Sequence, residues 1–128
     1  MSAIRRKTMM ALLLVLGVSS VQAEQHHILP GIKMDFMLTP NKREEFTNFA
    51  FQTVQANCAI STEDGIGNDI FVEVLRKKGK INDLPVSTGD NIVVRVRDKE
   101  VLRITAEPGG RVALTNIGQH AVKATCST

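Results

Sequence analysis

The chain has 128 residues, with 16 Lys+Arg against 13 Asp+Glu and a hydrophobic fraction of 43%. That is the size of a single domain, and it holds five Phe but no Trp and no Tyr. Without Tyr or Trp it lacks the rings on which sugar-binding faces and single-strand nucleic-acid grooves usually stack their ligands, and the five Phe sit in apolar runs expected in the core.

Arg5, Arg6 and Lys7 precede an apolar run from Thr8 to Val18, and Val21-Gln22-Ala23 has the small-residue pattern of a cleavage site. Residues 1–23 read as a secretory signal peptide cut after Ala23. The run is shorter than the ~20 apolar residues that span a bilayer, so no transmembrane segment is expected. No Cys follows it to carry a lipid anchor. The segment holds three of the basic side chains and none of the acidic ones, so the remaining 105 residues carry 13 of each. The basic balance of the whole chain is therefore a targeting feature, and no nucleic-acid partner is expected. The expected location is the periplasm or the exterior.

Residues 24–31 read as a flexible polar tail ending in the turn signal Pro30-Gly31. Cleavage after Ala23 exposes Glu24-Gln25-His26 as the new terminus. Its amine, two deprotonated amides and the third-residue imidazole would form a planar four-nitrogen site for Cu(II) or Ni(II).

The remaining residues, 32–128, read as one domain. Ile32, Met34, Phe36 and Leu38 alternate with Lys33, Asp35 and Met37, a strand with one apolar face. That stripe either closes the domain's own core or is donated to a neighbour's sheet. The next stretch reads two ways. Thr39 and Pro40 could open a helix, or Val54, Ala56 and Cys58 could face inward from a strand. FTNFAFQTVQANC, Phe46 to Cys58, is echoed by LTNIGQHAVKATC, Leu114 to Cys126. Thr, Asn, Val, Ala and Cys recur at the same places, and Gly118 makes a helix poor in the second copy, so both are expected to be strands. Asn48 and Asn116 would sit at strand entrances, satisfying free backbone groups.

Asp69 to Arg76 reads as a strand, Lys77 to Lys80 as a turn, and Ile81 to Asp90 as connecting chain. Asn91–Arg97 and Glu100–Ala106 read as a hairpin around Asp98-Lys99, and Arg111–Thr115 as a further strand. The expected fold is an all-β, antiparallel sandwich of about seven strands. Two cysteines in an exported chain imply one disulfide, Cys58 to Cys126, its sulfurs meeting across the core from facing sheets. An early Cys, a late Cys and this strand count resemble an immunoglobulin-like sandwich, although the inward Trp and the Tyr corner of that family are missing.

Little here suggests catalysis. His120 is the one histidine expected in the folded region, and no Ser or Asp is spaced to serve it. The acidic loop Asp64 to Asp69 lacks the spacing of a calcium-binding EF-hand. Arg76, Lys77, Lys78 and Lys80 form the densest charge run, either a solvated tip or a grip for an acidic partner. The expected function is non-enzymatic, through contacts with protein partners in a cell-envelope assembly such as a secretion apparatus or pilus. Ile32, Met34, Phe36, Leu38 and the basic tip are the candidate contact residues, and a Cu/Ni-binding terminus is the alternative.

Overall fold

Apolar residues at every second position favour half-buried strands, because successive side chains point to opposite faces. The structure, a computed structural model, describes residues 24–63 and 67–128; the expected signal peptide lies outside the described residues. Among these there is no helix and there are eleven strands. They are β1 (Glu24–Ile28), β2 (Lys33–Leu38), β3 (Arg43–Asn48), β4 (Val54–Thr62), β5 (Asn68–Arg76) and β6 (Lys78–Ile81). After them come β7 (Leu84–Ser87), β8 (Asn91–Val96), β9 (Val101–Ala106), β10 (Arg111–Asn116) and β11 (Val122–Ser127). One sheet has the order β1-β3-β10-β5-β8, and the other β2-β11-β4-β9-β6-β7. Only the β1–β3 pairing is parallel.

The core lies between the two sheets. β4 turns Val54, Ala56, Cys58, Ile60 and Thr62 inward, and β5 turns in Asn68, Ile70, Val72 and Val74. Each fully buried Val, Leu or Ile stabilises the fold by about 1.5–3 kcal/mol relative to exposure.

The all-β sandwich with one disulfide is as expected, and four features differ. The segment taken for a flexible tail contains β1, whose backbone pairs along β3 from Glu24↔Glu44 to Ile28↔Asn48. The connecting chain holds a hairpin, β6–β7, closed by Asn82 and Asp83 at φ 48 and 69, the left-handed pair that a tight two-residue turn requires. β8 and β9 are not a hairpin: β8 pairs with β5 in one sheet and β9 with β4 and β6 in the other. The turn between them passes from sheet to sheet and is tied to β4 by the Ile60–Glu100 and Lys99–Ile60 backbone bonds. Finally, Cys58 and Cys126 do not meet across the core. They are direct cross-strand partners in β4 and β11, with Cα atoms 3.9 Å apart, on the inward face of a single sheet. The bridge of an immunoglobulin-type domain joins facing sheets, so the resemblance does not extend to the bridge.

The echoed stretches prove to be structural equivalents, and the equivalence reaches further than the two quoted segments. The offset is 68, the separation of the cysteines. It superimposes Lys33–Cys58 on Val101–Cys126, matching β2-turn-β3-loop-β4 to β9-turn-β10-loop-β11. The pairing Val54↔Ala106 maps onto Val122↔Leu38, and Phe46↔Val112 onto Leu114↔Glu44. Cys58↔Cys126 and Glu45↔Ala113 map onto themselves, as pairs on a two-fold axis must. The turns match as well: Lys42 N–H donates to Thr39 O and Gly110 N–H to Glu107 O. Asn41 at φ 68 stands where Gly109 has φ 81, each following a proline.

Asn48 and Asn116 occupy the same place in the two copies, at strand exits rather than entrances. Both are fully buried. Asn48 Nδ2 donates to Gln52 O and Ala106 O, and its Oδ1 accepts from Ala50 N–H. Asn116 Nδ2 donates to His120 O and Leu38 O, and its Oδ1 accepts from Gly118 N–H. In each case one side chain satisfies the loop that carries the chain between sheets and the end of a strand in the other sheet.

Two stability outcomes follow. Cys126→Ser should lower unfolding free energy by about 4 kcal/mol, the chain-entropy value for a loop of this length, measured by urea titration under oxidising conditions. Asn48→Ala and Asn116→Ala should each lower it by about 3 kcal/mol, since each strands several buried backbone groups. A loss below about 1 kcal/mol in both asparagine variants would contradict the anchoring role.

Candidate functional site

Two regions bring the expected site residues together, one at an end of the sandwich and one at a sheet edge. The end is built where β3 finishes and β10 begins. Arg111 is the cross-strand partner of both Thr47 and Arg76, so the β3 and β5 termini flank the start of β10. Asn48 O accepts from Gly109 N–H, and Glu107 N–H donates to Lys78 O, which joins the 107–110 turn to both neighbours. Arg76, Lys77, Lys78 and Lys80 are all exposed at or near this end. Lys77 takes φ 63, the left-handed bend that ends β5 and starts β6. Among the described residues none of the four makes an ion pair, although other surface cations do: Arg43 with Glu45 and Glu73, Arg95 with Asp69, Arg103 with Asp83.

Beside this cationic run stands an aromatic loop. Phe49 is 54% exposed and Phe51 102%, so two of the five Phe expected in the core stand in water. Asn48 explains why. Its bonds to Ala50 N–H and Gln52 O wrap the loop around the asparagine and turn the intervening side chains outward. Phe49 is steadied by an edge-on contact with His27, ring centroids 4.5 Å apart, while Phe51 makes no such ring contact among the described residues. The repeat carried a signal for this exposure: Phe51 is matched by Gln119 in the second copy, a polar residue unsuited to a core.

The edge region is formed by β1 and β2. Ile32, Met34 and Phe36 are half-buried and Leu38 is buried, and the stripe faces the chain's own core. β2 is the outermost strand of its sheet, with β11 on its inner side. Glu24, Gln25 and His26 lie in β1, in register with Glu44, Glu45 and Phe46. The backbone of these three residues is laid out as a strand. The His26 ring stacks against both Phe36 and Phe46, at centroid distances of 5.7 and 5.0 Å, in a cluster in which the two Phe rings are also 5.0 Å apart, and its Nε2 lies 2.8 Å from Glu44 Oε1. Glu44 was not singled out from the sequence, and it is 1% exposed.

His120 lies at the opposite end, half-buried in a cleft that also presents Asp69 and Arg95. Part of the acidic loop, residues 64–66, lies outside the described residues. No helix among the described residues is long and apolar enough to cross a membrane.

No protein-family model matches the chain, and neither a curated protein nor a solved structure matches it.

The packing of β2 on the core gives a direct expectation. A chain starting at Thr39 loses the β11 partner and the aromatic stack on Phe46, and should give no cooperative thermal transition by far-UV circular dichroism. A truncated chain that melts cooperatively would show that β2 is dispensable to the fold and free to act elsewhere.

Proposed function

We propose that this protein is an exported, non-enzymatic β-sandwich that binds a protein partner in the cell envelope through its aromatic and basic end. The observation that carries this reading is Phe51 at 102% exposure on a loop held by buried Asn48, at the same end as four cations whose side chains make no ion pair among the described residues. A large ring held in water is unfavourable for a free domain and favourable for one whose partner covers it. Unpaired cations nearby speed encounter with an acidic surface and select against basic ones. The partner surface this end fits is therefore apolar at its centre and acidic at its rim. The domain contributes a rigid frame, and the loop and tip contribute recognition. The expected periplasmic or secreted location suits a bridge closed between β4 and β11, since such bonds persist in oxidising compartments.

The test uses a photo-crosslinking amino acid at position 51 and, as a control, at Val93 on the exposed face of β8. Position 51 should give one discrete envelope adduct, and Lys77→Glu with Lys78→Glu should weaken that adduct at physiological salt. Phe49→Ser with Phe51→Ser should leave the melting temperature within about 3 °C, because both rings are exposed. An adduct from position 93 with none from position 51 would overturn the reading.

A further inference from the structure

Glu44 breaks the repeat. Its counterpart at the offset of 68 is Val112, an apolar side chain in the core, yet at Glu44 a carboxylate takes the same inward position at 1% exposure. Its oxygen Oε1 meets His26 Nε2 at 2.8 Å, while Oε2 is buried with no hydrogen-bond partner among the described residues, only the more distant Lys42 charge at 3.8 Å. A buried acceptor without a hydrogen bond is unfavourable, and a bound ion is one of the ways native structures compensate it. Glu24 lies across the same gap. Its carboxylate, the His26 imidazole and the Glu44 carboxylate offer ligand atoms all within 4.8 Å of one another.

We propose that Glu24, His26 and Glu44 form a binding site for a divalent first-row metal of the Zn(II) class. One imidazole nitrogen with two carboxylates suits Zn(II) and its neighbours; Ca(II) and Mg(II) prefer oxygen alone, and Cu(I) prefers sulfur. Ligand distances of about 2.0–2.2 Å require the side chains to close by a small movement. Glu24, at the exposed start of β1, is free to make it. The Phe36 and Phe46 rings hold the imidazole plane and so define the approach of Nε2. Lys42 is the competitor built into the site. Its Nζ lies 3.3 Å from Glu24 Oε1 and 3.8 Å from Glu44 Oε2, where its charge stands between the two carboxylates. The lysine is 36% exposed, so it swings to water when a cation replaces it. Three protein ligands leave a fourth position for water or a partner's side chain. This site needs Glu44 and no free amine, which separates it from a four-nitrogen site at the terminus.

The experiment is calorimetric titration of Zn(II) into metal-stripped protein beginning at Glu24, and into the same chain preceded by Ala23. Both should bind one equivalent with equal affinity. Glu24→Gln and Glu44→Gln should each weaken binding by at least about tenfold, and Lys42→Met should tighten it. His26 should show a metal-induced nitrogen-15 shift at Nε2 rather than Nδ1. Should Glu44→Gln fold poorly, Glu24→Gln at the exposed strand end still decides. The proposal is overturned by absence of saturable binding below about 0.1 mM, or by variants that bind as the parent does. It is equally overturned if adding Ala23 abolishes binding, which would place the metal at the terminal amine.

Discussion

A chain that passes from one sheet of a sandwich to the other must break its ladder of hydrogen bonds, and the freed backbone groups must be paired again inside the protein. Asn48 and Asn116 meet that constraint twice over, in the same way. Each bonds the N–H two residues on, the carbonyl four residues on, and the last carbonyl of a strand in the opposite sheet. The aromatic loop owes its outward side chains to one of these anchors. The spacing of the sheets at both ends depends on them as well. A side-chain amide suits the task because it offers two donors and an acceptor from one short, rigid group.

The same pair of anchors marks a two-fold relation whose axis passes through the disulfide. On the axis Cys58 faces Cys126, and Glu45 faces Ala113. Away from it, the copies diverge where the chemistry differs. Phe51 against Gln119, and Glu44 against Val112, are departures that no shared fold demands. Such departures from local consistency are where functional sites are expected. Phe49, Phe51 and Glu44 lie on the first copy, while β1 and the basic run at residues 76–80 lie outside the repeated segments.

Much of the architecture could be read from alternation alone. The patterns at Ile32–Leu38, Asp69–Arg76, Asn91–Arg97 and Val122–Cys126 correspond to β2, β5, β8 and β11. What could not be read was pairing. Asp98-Lys99 has the composition of a hairpin turn, and composition does not reveal that the flanking strands belong to different sheets. For the same reason the cysteines were placed across the core when they are neighbours within one sheet. β1 escaped notice because an edge strand needs few apolar residues: of its five only Ile28 is buried. The basic tip was visible as a charge run. Phe49 and Phe51 were hidden because phenylalanine is ordinarily a core residue, and Glu44 because glutamate is ordinarily a surface one.

The interleaving of the two copies has a consequence for how the chain reaches this state. Among the first four strands the only pairing is β1 with β3; β2 waits for β11, and β4 for β9 and β11. The middle of the chain can close early, because β5 pairs with β8 and β6 with β7 over short spans. In the amino-terminal third only β1 and β3 pair at a comparably short separation. β2 and β4 find their partners only among residues 101–127, at long sequence separation. Non-local closure of this kind is slow relative to helical proteins. The β4–β11 ladder that brings Cys58 beside Cys126 therefore cannot close until residue 126 has been made, so nearly the whole chain is present before the bridge can form in this register.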